Sequence, residues 1–304
     1  MDPLSPHGPF MILAAPYQHF LTLSDPAGLM DGDMAPPGSA LVWDLSKRMR
    51  RRDIAVVASR PAGMTLQIIL PPADAVEEDT PILDVMELCR PQAILPFHPR
   101  PSVEELARLL RGGPEDLPAA LTDYLQWRGI RIDRETRQLI RRTVELSADL
   151  KTISGLSRSL FVSRRALGRR FMSRGLPVPS HWLQFSRLLR AAIHLQESDE
   201  NLFTIACRLG YPDSFSLSNQ MMRLTGVRPS LVRERLGWEW IVERWLRTES
   251  RAGTLAFPLT RTASLDRFRP EAPSFGLPRR GVPKRPAPQG TRRVPVPLRA
   301  AAGE

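Results

Sequence analysis

A weak internal repeat with a period of about fifty residues runs through residues 136–236 of this 304-residue chain. A repeat of that length means one supersecondary unit per copy, each burying a face against its neighbour. The first copy reads Leu156-Ser157-Arg158-Ser159-Leu160-Phe161-Val162-Ser163-Arg164-Arg165-Ala166-Leu167, then Phe171, Gly175 and Pro179-Ser180. The second reads Ile205-Ala206-Cys207-Arg208-Leu209-Gly210-Tyr211, then Leu217, Met221, Gly226 and Pro229-Ser230. Each copy has the parts of a helix-turn-helix. A short apolar helix carries a small residue, Ser157 or Ala206, where a neighbouring helix must come close. A tight turn follows. In the second copy Gly210 stands where a left-handed backbone is needed, which glycine adopts at no steric cost. In the first copy that place holds Phe161, so the turn there is expected to find another geometry. A second helix then starts at a capping residue, Ser163 in one copy and Asp213 or Ser214 in the other. Its apolar face, Leu167 with Phe171 or Leu217 with Met221, has i, i+4 spacing and packs inward.

The opposite face of the first of these helices is the most informative stretch of the chain. Leu150 to Gln196 contains no Asp or Glu but nine basic residues. Five of them, Arg164, Arg165, Arg169, Arg170 and Arg174, lie on or just after the helix. Like charges at this density repel one another unless phosphates neutralise them and release counterions. Arginine also fits the O6/N7 edge of guanine in a bidentate way. Arg164 and Arg165, at the helix start, are expected to reach base edges. Arg169, Arg170 and Arg174 are expected to hold phosphates or pack on the core. An ordinary solvated basic face is the plainer alternative. The second reading helix offers short polar groups, Ser214, Ser216, Ser218 and Asn219, with Arg223 at its end. Asn219 suits adenine and the serines suit phosphates; a surface helix that only packs is the alternative. A helix from Ser180, read as its cap, to Glu197 joins the units. At ~1.5 Å per residue it spans roughly 27 Å, enough to set two reading helices about one turn of DNA apart.

These residues resemble the AraC-type transcription regulators. Ser163-Arg164-Arg165-x-Leu167-x-x-x-Phe171, Trp182-Leu183, Arg187 and Ala191 carry the likeness through the first unit and the linker helix. Ile205-Ala206-x-x-x-Gly210-Tyr211-x-Asp213, Gly226-Val227-x-Pro229-Ser230 and Arg233 carry it through the second. The resemblance covers about 100 residues and implies a double helix-turn-helix domain that binds double-stranded DNA, in a cytoplasmic transcription factor with RNA polymerase as a further partner. The chain departs from the family in Leu217 and Met221, where aromatics are usual, in Asn219, where arginine is common, and in Phe161 and His194.

Charge divides the chain in the same way. Residues 1–135 have a net charge of −6, residues 136–250 of +9 and residues 251–304 of +8. A basic back half joined to an acidic front half implies that the back half meets a polyanion. In the front half, Ala40–Leu45, Ile54–Ala58, Leu66–Leu70 and Ala93–Phe97 are short apolar runs that read as strands. Ile82–Leu88, a Ser102-capped segment and Pro118–Trp127 read as helices between and after them. The expected fold class is therefore α/β for residues 41–130, with a mostly parallel sheet, and all-α for residues 136–236. Residues 1–40 are poorly defined, with Phe10–Ala15 and Phe20–Leu23 able to add a strand or two.

The front layer could be a degenerate receiver-like domain. Asp44 ends an apolar strand as a phosphorylated aspartate would, or serves as a structural cap for the helix that follows. No acidic cluster precedes it, and no lysine follows the Ala93–Phe97 strand. Residues 237–250 place Trp238, Ile241, Val242, Trp245 and Leu246 at helical spacing, a stripe that reads as core or as a subunit contact. Residues 251–304 hold nine prolines and eleven basic residues and read as a disordered tail. Cys89 and Cys207 read as reduced, partly buried thiols. No metal-ligand spacing, glycine-rich phosphate loop or nucleophile motif appears, so no catalytic residue, metal or cofactor is expected. The competing reading is a signalling or adaptor protein whose front domain binds a partner protein, with incidental DNA contact.

Overall fold

The computed structural model describes residues 8–23, 28, 36–47, 50–72 and 82–259. Five strands, β1 (Phe10–Leu13), β2 (Phe20–Leu23), β3 (Ala40–Asp44), β4 (Thr65–Ile69) and β5 (Ala93–Leu95), form one sheet in the order β2-β1-β3-β4-β5. β1 runs antiparallel to both β2 and β3, whereas β3, β4 and β5 are parallel. β3, β4 and β5 thus form the parallel sheet expected for residues 41–130, and β1 with β2 makes the whole sheet mixed. β1 and β2 form a hairpin, and β1 inserts beside β3. A receiver-like layer is parallel throughout, and β1 departs from that pattern.

Strand periodicity separates two faces. Phe10, Ile12, Leu41, Trp43, Leu66 and Ile68 face α1 (Arg51–Ala58) and α2 (Ile82–Cys89). Met11, Leu13, Ala40, Val42 and Ile69 face α3 (Val103–Arg111) and Leu236. The run Ile54–Ala58, expected as a strand, is the body of α1. Asp53 accepts from the backbone N–H of Arg50 and fixes the helix start, and Ile54, Val57 and Ala58 share one buried side at i, i+3, i+4 spacing. A short apolar run does not distinguish the two periods by itself. Ser102 caps α3 as expected, with Glu105 returning a bond to the Ser102 N–H.

The all-helical half begins earlier than its strand-free sequence suggests. α4 (Leu117–Trp127) already contributes Leu117, Leu121, Tyr124 and Leu125 to the helical core. There follow α5 (Arg134–Leu146), α6 (Ile153–Ser159), α7 (Arg164–Ser173), α8 (Pro179–Glu197), α9 (Leu202–Arg208), α10 (Ser214–Thr225), α11 (Pro229–Glu234) and α12 (Glu239–Arg251). α8 is the hub: α3, α5, α6, α7, α9, α10, α11 and α12 all pack on it. Val178 rather than Ser180 is its N-cap, because Pro179 occupies the first helical position, where a missing N–H costs nothing. The apolar stripe of α12 is core. Trp245 is fully buried, stacks on Phe185 at 4.0 Å and meets Trp182 edge-on at 4.6 Å.

Sheet and helices belong to one contact unit. Tyr17 Oη donates to Gly38 O and accepts from Leu236 N, both at 2.7 Å. Arg90 pairs with buried Glu239 at 2.5 Å and lies over the Tyr124 and Trp238 rings. Arg128 grips Glu243 through two bonds, at 2.8 and 3.0 Å. Burial lowers the basicity of Arg128, but the bonds and charge of Glu243, together with Tyr124, outweigh this and its pKa is raised. Asp44 is buried. It accepts from Ser46 in the turn after β3 and pairs with Arg100 at 2.6 Å, so it caps that turn and not the start of α1.

Residues 252–259, expected in the tail, still belong to this body: Leu255 is buried and the Ala256 N–H donates to Gly175 O at 2.8 Å. The remainder of the expected disordered tail, from residue 260, lies outside the described residues. Cys89 is buried, which pushes its thiol up to about 12, whereas Cys207 is exposed rather than partly buried.

Candidate nucleic-acid interface

The two repeat copies fold into the same unit. After α6, Phe161 N–H donates to Arg158 O and Val162 N–H to Ser157 O, both at 3.0 Å. After α9, Gly210 N–H donates to Cys207 O at 2.9 Å and Tyr211 N–H to Ala206 O at 2.8 Å. Gly210 has φ +71°, and Phe161 has φ +53°. The first turn therefore adopts the same left-handed geometry with a phenylalanine in it. A non-glycine residue there costs roughly 1–2 kcal/mol. The Phe161 ring recovers little of that from packing, because the residue is 97% exposed. Phe161→Gly should raise stability by up to about 1 kcal/mol, the relief of strain being partly offset by the freer unfolded glycine. Urea unfolding midpoints would show it, and a lower midpoint would mean the ring has a packing role.

Both reading helices start from side-chain caps. Ser163 Oγ accepts from Ala166 N at 3.2 Å, and Asp213 Oδ1 from Ser216 N at 2.6 Å. The Ser216 backbone bond holds the Asp213 carboxyl below the usual range. A shift of fifty residues superimposes their outward positions: Arg164 on Ser214, Arg165 on Phe215, Gly168 on Ser218, Arg169 on Asn219 and Met172 on Met222. Inward, Leu167 and Phe171 match Leu217 and Met221, all fully buried.

The eleven residues singled out in the sequence divide by position. Arg164, Arg165 and Arg169 are exposed on the outer face of α7. Arg164 makes one long approach, 3.5 Å, to Ser154 Oγ. Arg165 and Arg169 have no hydrogen bond or ion pair among the described residues. Gly168 sits between them, and a Cβ built there meets nothing within 4 Å. Arg170 and Arg174 are differently placed. Arg170 pairs with Glu135, and Arg174 with Asp133 at 2.7 Å, both acids lying at the start of α5. Thr136 N–H, and then the two arginines, hold Asp133 below its ordinary range. On α10, Asn219 and Arg223 are exposed, while Ser214, Ser216 and Ser218 are half-buried. Arg223 donates to Gln184 on α8 at 3.0 Å. Ser163 is exposed and spends its hydroxyl on the cap.

Two arginines of the acid-free stretch have structural work. Buried Arg187 donates to Leu209 O at 2.7 Å and lies over the Tyr211 ring at 4.6 Å. Arg190 donates to Val144 O at 2.9 Å. Sequence reading missed Phe215, which is 72% exposed on the outer face of α10. The fifty-residue shift that pairs it with Arg165 was the available signal.

Two like units, joined by α8 and presenting one unpaired basic helix face, define a helix-turn-helix DNA-binding module. Residues 156–235 match the family model described as a helix-turn-helix domain, and the domain is of the AraC type. The match runs from α6 to the end of α11. Such a domain implies DNA binding and transcription regulation. No curated protein and no solved structure matches the chain. Among the described residues, no helix is long and apolar enough to cross a membrane, and no group of His, Cys, Asp or Glu could hold a metal ion.

Proposed function

We propose that the chain is a sequence-specific transcription regulator that sets α7 and α10 into successive major-groove faces of one duplex. The observation that carries this reading is the outer face of α7, where Arg164, Arg165 and Arg169 stand unneutralised around open Gly168. Arg164 and Arg165 lie in the first turn, the part of a recognition helix that reaches base edges. Gly168 lets the groove approach the helix backbone. Arg169 completes the face toward phosphate.

α10 reads with different chemistry. Asn219 suits the N6/N7 edge of adenine, and exposed Phe215 suits the C5-methyl of thymine. Ser214, Ser216, Ser218 and Arg223 supply phosphate contacts around them. The chain acts by binding and not as an enzyme. Selection from a randomised duplex pool should return a bipartite site, guanine in one half and A·T in the other, with centres about 10 base pairs apart. A single undivided motif would refute the two-unit reading.

Arg170 and Arg174 add a second layer. Their ion pairs with Glu135 and Asp133 compete with phosphate for the same guanidinium groups. Asp133→Asn with Glu135→Gln keeps a capping side chain at position 133 and removes that competition. Duplex affinity should rise about two- to fivefold, and log K against log salt should steepen by up to about two. An anisotropy titration at several salt concentrations checks this, and an unchanged slope would place both arginines off the phosphates.

A further inference from the structure

A cleft of about 230 Å³ lies where the front layer meets α12. One wall is made by the loops that lead into β3 and β4, with Pro36 and Pro61 among them. The other wall is α12, through Trp240, Glu243, Arg244 and Arg247, one face at i, i+3, i+4, i+7 spacing. The loops come in close: a Cβ on Gly63 would stand 2.9 Å from Trp240 Cα, and φ +87° at Gly63 is a further reason for glycine.

The charges in this cleft do not cancel. Glu243 is already satisfied, because Oε2 accepts from Arg128 and Tyr124, and Oε1 from Arg128 and Arg247. Arg128 is itself buried and fully matched to that carboxylate. Arg244 and Arg247 are both exposed, and each guanidinium carries five N–H groups. Arg244 directs Nε to Thr225 O at 3.1 Å and Nη2 to Gly226 O at 3.5 Å. Arg247 directs Nε to Glu243 at 3.0 Å. The rest of their donor capacity borders the cleft, beside a tryptophan and proline walls.

We infer that this cleft is a binding site for a small organic oxyanion, a carboxylate or phosphate monoester with a compact apolar body. The volume lies below the ~300–1,000 Å³ of pockets for drug-sized ligands, so the ligand is metabolite-sized. Planar guanidinium groups match either oxyanion in a bidentate way, and Trp240 with the prolines takes the apolar body.

The site also has a route to the reading helix. Thr225 and Gly226 are the C-terminal end of α10, and Arg244 is the side chain that bonds their carbonyls. An oxyanion that draws Arg244 toward the cleft weakens that cap, and one that leaves Arg244 in place stiffens it. Either way the ligand discriminates between two arrangements of the second unit, which is the requirement for coupling between sites. This coupling, unlike the site itself, rests on the DNA-binding reading above.

The test uses the full chain and four probes: benzoate, phenyl phosphate, benzamide and inorganic phosphate. Calorimetric titration without DNA should show binding of benzoate or phenyl phosphate and none of benzamide or inorganic phosphate. Phenyl phosphate against benzoate separates the two oxyanion chemistries. Arg247→Gln, which leaves the α10 cap untouched, should weaken binding about tenfold or more. The bound anion should shift affinity for the selected duplex by about fivefold or more. The site is refuted if neither aromatic anion binds, if benzamide or inorganic phosphate binds equally well, or if Arg247→Gln binds as the parent does. Unchanged duplex affinity with the anion bound refutes the coupling. A chain that binds the anion but no duplex would keep the site and sink the DNA-binding reading instead.

Discussion

Replacing Arg164 and Arg165 together by alanine should lower affinity for the selected duplex at least about thirtyfold while leaving the unfolding midpoint nearly unchanged. Each base-reading arginine is worth ~1–3 kcal/mol, and about 1.4 kcal/mol is tenfold. The fold has little stake in either side chain. Both are exposed, and the one intramolecular approach, Arg164 to Ser154, is 3.5 Å long. Exposed substitutions of this kind usually stay within about 0.5 kcal/mol of the parent in stability. The pattern of loss matters as much as its size. Sequence preference should relax in one half of the site and persist in the other, because α10 still reads. Equal loss on every duplex, with preference intact, would mean that both arginines hold phosphates only.

Trp245→Ala should destabilise the chain by ~3–5 kcal/mol, the range for a buried aromatic truncated in a core. The ring fills the centre of the helical body. It stacks on Phe185 with an interplanar angle of 5°, meets Trp182, and its indole N–H donates to Glu249 at 3.0 Å. Truncation opens a cavity between α8 and α12 and leaves the buried Glu249 oxygen short of a donor. Against a total of ~5–15 kcal/mol for a folded domain, that is a large fraction. α8 carries both reading units, so duplex binding should fail with it on warming, well below the parent's unfolding temperature. Trp245→Phe keeps the stack and should cost much less. If Trp245→Ala unfolded at the parent's urea midpoint, the hub role of α8 and α12 would be wrong.

The helical half was readable because its signals are local and redundant. Caps at Ser163 and Asp213, glycine or its substitute in the turn, and inward pairs at i, i+4 all recur fifty residues apart. They agree with one another, which is what makes a sequence specify one arrangement. The front layer was harder. Ile54–Ala58 is apolar over five residues, three of them β-branched, and too short for its own period to decide between strand and helix. Pairing direction depends on long-range contacts, so the antiparallel insertion of β1 beside β3 had no local mark.

The site shows the same division. Which residues lie on α7 followed from the cap and the spacing. Which arginines remain unpaired did not, because Asp133 and Glu135 reach Arg174 and Arg170 from a helix that starts some forty residues upstream. Phe161 is the opposite case. The sequence marked an irregular turn, and the structure keeps the turn regular by holding the phenylalanine in a left-handed backbone. Strain retained at an exposed aromatic beside a reading helix is the kind that persists at functional sites.

Guanine N7 methylation protection on the selected duplex tests the central claim most directly. The account predicts protection in one half of the site, lost in Arg164→Ala with Arg165→Ala while contacts in the other half remain about one turn away. Tight binding by the full chain with no guanine protected, and no difference in the double variant, would contradict it.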